Sequence, residues 1–370
     1  MDYIHQQDDW PGFRWNPEIL AQTLARVRHQ QGRLTGRMEM LGFKLREEAV
    51  LQTLTQDVVK SSEIEGEELD PGQVRSSIAR HLGMDVVGLV ASERNVEGVV
   101  EMMLDATQRF DQPLTRERLF DWHAALFPTG RSGLSKITVG GWREDQTGPM
   151  QVVSGPIGRE RVHFQAPSAE RLDAEMQAFL DWFNGSFAYD PVIKAAIAHL
   201  WFVTIHPFDD GNGRIGRAIA DMALARSDGS AQRFYSMSAR IQIERSAYYD
   251  ILEATQKGSQ DVTRWLDWFL ACLERAFVEA EQTLSAVLAK AAFWERFGAV
   301  GLNVRQIKVL NRLLDGFDGH LTNAKYAALA KTSSDTALRD LNDLVERGAL
   351  NKAPAGGRGT RYLLGQRAQA

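Results

Sequence analysis

Residues 206–217 read His-Pro-Phe-Asp-Asp-Gly-Asn-Gly-Arg-Ile-Gly-Arg, and they leave the chain around them few choices. Apolar positions at helical spacing run into the stretch over residues 192–203 and out of it at Ile215, Ile219 and Met222, so it reads as a loop between two helices. A loop that opens a helix presents free backbone N–H groups and the positive end of the helix dipole, which suits a phosphate. Gly211 and Gly213 lack a Cβ, so backbone there can approach an anion closely and adopt positive φ. Arg214 and Arg217 fall on neighbouring helix positions, and each can fork onto phosphate oxygens. Asp210 offers a hard oxygen for Mg2+, and His206 a base that titrates near neutrality. Together these groups describe phosphate-ester chemistry on a nucleotide.

Two other phosphate loops are excluded. Gly211, Gly213 and Gly216 have the spacing of a dinucleotide fingerprint, but helical patterns flank them and no acid stands near Ala231 and Gln232. No Lys-Ser/Thr pair follows the glycines, so this is not a Walker loop. His199 and His206 lack further ligands for zinc, which leaves His199 as an interior histidine with a hydrogen bond.

The pattern His-Pro-Phe-x-Asp-Gly-Asn-Gly-Arg-x-x-Arg resembles the signature of Fic (fido) domain proteins, with every fixed position present. The resemblance implies a mainly α fold, a Fic-type helical bundle with a β-hairpin flap, and transfer of AMP from ATP to a Ser, Thr or Tyr hydroxyl of a target protein. On that reading His206 takes the hydroxyl proton and Asp210 holds Mg2+ bridging the α- and β-phosphates. Gly211, Asn212 and Gly213 form the anion hole, Arg214 clamps the β-phosphate and Arg217 the γ-phosphate. Ile215 and Gly216 complete the ATP-binding stretch, and Phe208 anchors the loop in the core.

A second motif lies upstream. Ser61-Ser62-Glu63-Ile64-Glu65-Gly66 reads as a helix C-terminus with Gly66 just beyond it. Acids there are disfavoured by the dipole, so Glu63 and Glu65 need partners. The segment resembles the inhibitory motif Ser/Thr-x-x-x-Glu-Gly/Asn of Fic proteins, carried here by Ser61, Glu65 and Gly66 and placed before the core. The resemblance implies that Glu65 pairs with Arg217 and occupies the place of the ATP γ-phosphate.

A chain of 370 residues holds two or more domains. The reading divides it into an N-terminal helical region with the inhibitory helix (1–110), a catalytic core (111–300) and a winged helix-turn-helix domain (301–370). The start of the sequence lacks the basic and apolar regions of a signal peptide, and no apolar run is long enough to span a membrane. The single cysteine, Cys272, permits no internal disulfide, so the expected compartment is the cytoplasm.

Residues 10–15 form an irregular aromatic segment. Residues 34–64 read as mostly helical, weakened at Gly36 and Gly42, and helical patterns continue through residues 71–82, 92–110 and 115–127. Two β-prone runs then flank a Gly-Pro turn: Val152-Val153-Ser154-Gly155-Pro156-Ile157-Gly158 and Arg161-Val162-His163-Phe164. By resemblance this hairpin is the flap that pairs with an extended target segment. Residues 235–257 and 261–297 read as helical, and by family position Tyr248 and Tyr249 line the adenine pocket.

Residues 303–370 hold 11 Lys/Arg against 6 Asp/Glu, in a chain whose net charge is −5. Three helical patterns and a hairpin around Gly356-Gly357-Arg358-Gly359 resemble a winged helix, with Arg339, Arg358 and Arg361 available to phosphates. The expected partners are ATP and a hydroxyl-bearing target protein. Self-modification, a DNA or protein contact through the winged helix, and a homodimer stay open. Two other functions do too: an ATP-sensing DNA-binding regulator, and removal of AMP with Glu65 positioning water.

Overall fold

The computed structural model describes residues 3–84, 89–145, 148–156, 158–297, 301–314, 317, 319–353 and 360–365. Its helices are α1 (Pro17–Glu39), α2 (Phe43–Ile64), α3 (Pro71–His81), α4 (Arg94–Gln108), α5 (Arg116–Leu126), α6 (Leu172–Asn184), α7 (Pro191–Ile205), α8 (Asn212–Asp228), α9 (Met237–Ile243), α10 (Arg245–Gln256), α11 (Thr263–Phe297), α12 (Val304–Leu314), α13 (Asn323–Ala330) and α14 (Ser334–Glu346). Three antiparallel strand pairs complete it: β1 (Arg131–Ser132) with β2 (Ser135–Lys136), β3 (Gln151–Ser154) with β4 (Arg161–Gln165), and β5 (Leu350–Lys352) with β6 (Tyr362–Leu364).

Local chemistry sets the helix starts. Asn16, Asp70 and Asp190 each precede a proline, and each side chain accepts from a first-turn N–H, so cap and proline act together. The helical pattern over residues 34–64 breaks into two helices at residues 40–42, where Met40 is exposed and Gly42 caps α2. Gly36 sits within α1 without breaking it, its cost of about 1 kcal/mol being small against the packing of a 23-residue helix. Residues 235–257 likewise hold two helices. Ser236 caps α9 through Ala239 N and also donates to Asp57 of α2.

The chain divides into two compact units, residues 1–281 and 282–370. The N-terminal helices and the region expected to be a separate core therefore share one unit, because α2 packs on α3 and α9 while α4 packs on α5 and α8. The boundary falls inside α11 rather than at 300/301, since Phe293 and Phe297 belong to the second unit's core.

In the first unit α7 is buried on nearly every face, as a helix at the centre of a bundle must be, and α8 packs along it. Gly216 permits this approach: a Cβ there would come within 2.8 Å of Val203 Cγ1. The hairpin β3–β4 carries a bulge between Val152 and Val153, and left-handed Gly155 (φ +102°) turns its end. Ile157, expected at the tip, lies outside the described residues.

The second unit closes its own core around Val309, Leu310, Tyr326, Leu341, Leu344 and Leu350. Asp340 ties three segments together, accepting from Asn303 Nδ2 (3.0 Å), Arg305 Nε (2.9 Å) and the Tyr326 hydroxyl (3.1 Å). Strands β5 and β6 follow the three helices where the sequence places a hairpin. The glycine turn with Arg358 lies outside the described residues, while Arg339 and Arg361 are exposed.

Candidate active site

The loop of residues 206–211 joins the two central helices, and its geometry follows from what each helix end lacks. Helix α7 stops at His206, which adopts the left-handed conformation (φ 53°, ψ 59°) usually left to glycine. That conformation costs a side-chain-bearing residue about 1–2 kcal/mol. Arg143, 2% exposed, supports it from outside: its Nε donates to His206 O at 2.8 Å and its backbone N–H to Pro207 O at 2.9 Å. Its remaining nitrogens reach Asp145 Oδ1 (2.6 Å) and Pro167 O.

The His206 ring is held with Nδ1 at 3.3 Å from Val203 O. A neutral ring must carry its proton there, which leaves the Nε2 lone pair free. Burial pushes this imidazole down to about 4, with the Arg143 cation working in the same direction and the Val203 carbonyl, Glu65 and Asp210 opposing. The ring is therefore neutral at pH 7 with its Nε2 lone pair available, although it is a weaker base than the near-neutral titration expected from sequence.

Phe208 is fully buried and stacks on His123 with centroids 4.2 Å apart. His123 Nε2 faces Asp210 O at 3.2 Å, and burial lowers its pKa to about 4, so it is a neutral prop beneath the loop. Asn212 closes the loop on itself: Oδ1 accepts from Phe208 N (3.0 Å) and Nδ2 donates to Phe208 O (2.8 Å). Its side chain is thus held by the loop, and its backbone N–H stands at the helix end. Gly211 caps α8 at φ +81°, and Ile215 N–H is the first to find an i−4 carbonyl, on Gly211 at 3.0 Å. The N–H groups of Asn212, Gly213 and Arg214 precede that bond and point out of the helix end.

Both carboxylates of the loop are steered. Asp209 Oδ2 accepts from Thr138 N at 2.8 Å. Asp210 Oδ1 accepts from Gly211 N at 2.6 Å and Oδ2 from the Ser132 hydroxyl.

Arg214 and Arg217 present one face of α8, both nearly buried. Arg217 donates from Nε to Ser61 Oγ (3.0 Å), from NH2 to Ser61 O (2.8 Å) and from NH1 to Glu65 Oε1 (2.8 Å). Burial opposes this charge, but the Glu65 carboxylate and the neighbouring Tyr248 hold its pKa above the usual value. Gly66 follows with φ +84°, the left-handed end anticipated from sequence. Gly213 makes the contact sterically feasible, because a Cβ there would lie 2.1 Å from Glu65 Oε1. Arg214 NH1 donates to Glu67 Oε2 at 2.6 Å, and its guanidinium lies over the Phe127 ring.

The structure thus assembles His206, Asp210, Gly211, Asn212, Gly213, Arg214 and Arg217 with Ser61, Glu65 and Gly66. Ile215 and Gly216 face elsewhere: Ile215 is fully buried, and Gly216 packs on Val203 of α7. Of the two tyrosines read into the adenine pocket, Tyr249 faces the site, its hydroxyl 3.3 Å from Glu65 Oε2. Tyr248 is 2% exposed behind it, its hydroxyl 2.8 Å from His199 Nε2. His199 is accordingly the interior histidine the sequence suggested.

The hairpin that carries Val152, Val153, Ser154, Gly155, Pro156 and Gly158 docks on α10 through Glu253. That carboxylate takes His163 Nδ1 (2.6 Å), Arg161 NH2 (3.0 Å) and Lys257 Nζ (2.6 Å). Sequence reasoning gave no role to Arg143, His123, Ser132, Glu67 or Glu253. Each acts across a large separation in the chain, and only the acidic run at residues 65–68 marked any of them.

The family model of the Fic/DOC family matches residues 113–224, and a domain of unknown function, DUF4172, matches residues 3–84. Protein adenylyltransferase Fic of Culex quinquefasciatus is 32% identical over 158 residues, covering 40% of this chain and 30% of that protein. Protein adenylyltransferase fic-1 of Caenorhabditis elegans is 30% identical over 166 residues, covering 44% of this chain and 30% of that protein. The match thus spans less than a third of these curated relatives. In fold, the chain is similar to a Fic family protein from Desulfovibrio desulfuricans G20, with a TM-score of 0.56 at 23% identity over 97% of this chain and 99% of that one. A Fic domain containing signaling protein from Bacteroides thetaiotaomicron gives a TM-score of 0.52 at 21% identity, over 70% and 97% of the two chains. With the loop, its histidine and its paired arginines in place, the chain carries a Fic/DOC family domain over residues 113–224.

Proposed function

We propose that this chain is a protein adenylyltransferase, moving AMP from ATP to a hydroxyl of a target protein, and that Glu65 restrains it. The carrying observation is that His206 holds a free Nε2 beside the N-terminus of α8, while Arg217 of that helix is paired with Glu65. The names of the curated relatives, protein adenylyltransferases, support the same reaction class.

A target hydroxyl would lose its proton to His206 Nε2 as its oxygen bonds to the α-phosphorus. The bond from that phosphorus to the bridging oxygen of the β-phosphate breaks, and pyrophosphate leaves with the electron pair. The outward N–H groups of Asn212, Gly213 and Arg214 would stabilise charge on the α-phosphate oxygens. Arg214 would hold the β-phosphate, and Arg217 the γ-phosphate once Glu65 has moved. The Asp210 carboxylate suits Mg2+: it is partly exposed and each oxygen accepts one hydrogen bond, leaving lone pairs for a cation shared with phosphates. Such an ion would neutralise charge on the phosphates. The hairpin β3–β4 would present Val153 and Val162, both well exposed, beside the target segment.

The test is labelling with ATP radioactive at the α-phosphorus. Glu65→Gly should raise transfer to the chain itself or to lysate proteins, and adding His206→Ala should abolish it without loss of fold. Equal labelling with and without His206 would sink the assignment. Unchanged labelling on removing Glu65 would sink the restraint.

A further inference from the structure

Two carboxylates, not one, meet the arginines of α8. Glu65 and Glu67 flank Gly66, whose left-handed backbone (φ +84°) turns the chain sharply as it leaves α2. The turn is fixed by Glu67 N–H, which donates to Ser62 O at 3.0 Å. The two side chains then land on arginines one helical turn apart: Glu65 on Arg217 at 2.8 Å and Glu67 on Arg214 at 2.6 Å. The inhibitory-motif resemblance accounts for the first contact only.

The two partners of the second contact differ in freedom. The Arg214 side chain is 3% exposed, lies over Phe127, and has a buried Nε without a hydrogen-bond partner among the described residues. It is a fixed, under-satisfied cation. The Glu67 side chain is 47% exposed and sits at the mouth of the site. An incoming anion can replace it without disturbing the core, and would find a guanidinium already aimed.

We propose that Glu67 is a second competing carboxylate of the nucleotide site, guarding the β-phosphate seat on Arg214 as Glu65 guards the γ-phosphate seat on Arg217. The inference rests on the functional reading above, which assigns those phosphates to those arginines. It adds that the two seats are released separately. A nucleoside diphosphate, which ends at the β-phosphate, competes with Glu67 alone. A triphosphate must displace both carboxylates, so removing Glu65 by itself leaves part of the barrier in place.

The experiment is calorimetric binding of Mg-ADP and Mg-ATP to the full chain carrying Glu67→Gln, Glu65→Gln or both, with Glu67→Ala as a second variant. Glu67 is half exposed, so its competition is modest. Its neutralisation should tighten ADP and ATP alike by about two- to fivefold. Neutralising Glu65 should tighten ATP and leave ADP within about twofold, and the ATP gains should multiply in the double variant. A role for Glu67 limited to holding the turn would lower Tm without tightening either nucleotide. Unchanged or weaker ADP binding by both Glu67 variants overturns the inference while leaving the Glu65 restraint intact. Unchanged ATP binding by Glu65→Gln overturns that restraint, and the ADP result still decides Glu67. If no variant binds either nucleotide, both fall.

Discussion

Arg143 Nε donates to the backbone carbonyl of His206 at 2.8 Å, and the same residue's N–H donates to the next carbonyl, Pro207 O, at 2.9 Å. This two-point hold keeps a histidine in backbone geometry it would not adopt by itself. Near-attack alignment is sensitive: a displacement of about 1 Å can cost on the order of 100-fold in rate. Replacing Arg143 with Met should lower kcat for AMP transfer by about 10- to 100-fold with little change in KM for ATP. Arg143→Lys, which keeps the charge but not the fork, should recover only part of the loss. Steady-state kinetics in the Glu65→Gly background would read this, and an unchanged kcat would show that the loop needs no such hold.

The acid limb of the reaction should be displaced. Burial sets the His206 pKa to about 4, so the ring gains its proton only as pH falls through that value. The base is deprotonated above it, and kcat/KM, which reports the free enzyme, should hold from neutrality down toward pH 4 rather than halve near 6.5. Arg143→Met removes a cation that depresses this pKa, while Glu65 and Asp210 pull it up, so the limb should move to higher pH in that variant. A limb fixed near 6.5 in both proteins would mean that the ring is solvated.

The loop could be read from sequence because its chemistry is local. Gly211, Asp210 and the arginines act through spacings of a few residues, and helical periodicity alone sets their faces. The same periodicity buries Ile215 and packs Gly216 on α7, which the motif string by itself hides. The Glu65–Arg217 pair joins residues 152 positions apart and is legible only through its resemblance to a known motif. Glu67–Arg214 and Arg143–His206 had no such aid, since a charged residue in a loop carries no sign of its distant partner. The break between α9 and α10 falls at Glu244, where neither proline nor glycine interrupts the helical pattern. The unit boundary inside α11 was invisible because apolar spacing is continuous while the core it serves changes.

Glu253 should control how firmly the hairpin is held. It is the shared acceptor for His163, Arg161 and Lys257, and although burial opposes its charge, hydrogen bonds from Lys257, His163 and Arg161 lower its pKa to about 2. A carboxyl depressed on folding stabilises the native state above its unfolded pKa and loses that contribution as pH falls toward the folded value. Glu253→Gln should therefore speed amide exchange in residues 151–165 at pH 7, with little change in α7 and α8. The wild-type hairpin should loosen in the same way as pH drops from about 4.5 toward 2. Exchange measured by mass spectrometry would check both, and equal protection in the variant would show that backbone pairing alone holds the hairpin.

Two glycines should separate fold from site. A Cβ on Gly98 would lie 1.8 Å from the Ala125 carbonyl oxygen, at the approach of α4 and α5, and backbone cannot step aside cheaply. Gly98→Ala should cost about 1–3 kcal/mol or more, seen as a lower Tm at unchanged nucleotide affinity in the surviving native protein. On Gly213 the same Cβ would meet the Glu65 carboxylate at 2.1 Å, the movable end of a side chain, so Gly213→Ala should push Glu65 off Arg217 and lower Tm no further than Glu65→Gly does. It should still weaken ATP binding in the Glu65→Gly background, because the methyl would stand where the carboxylate stood and where the phosphates are proposed to lie. If the Glu65→Gly/Gly213→Ala protein binds ATP as well as Glu65→Gly does, the nucleotide does not approach the end of α8 at Gly213.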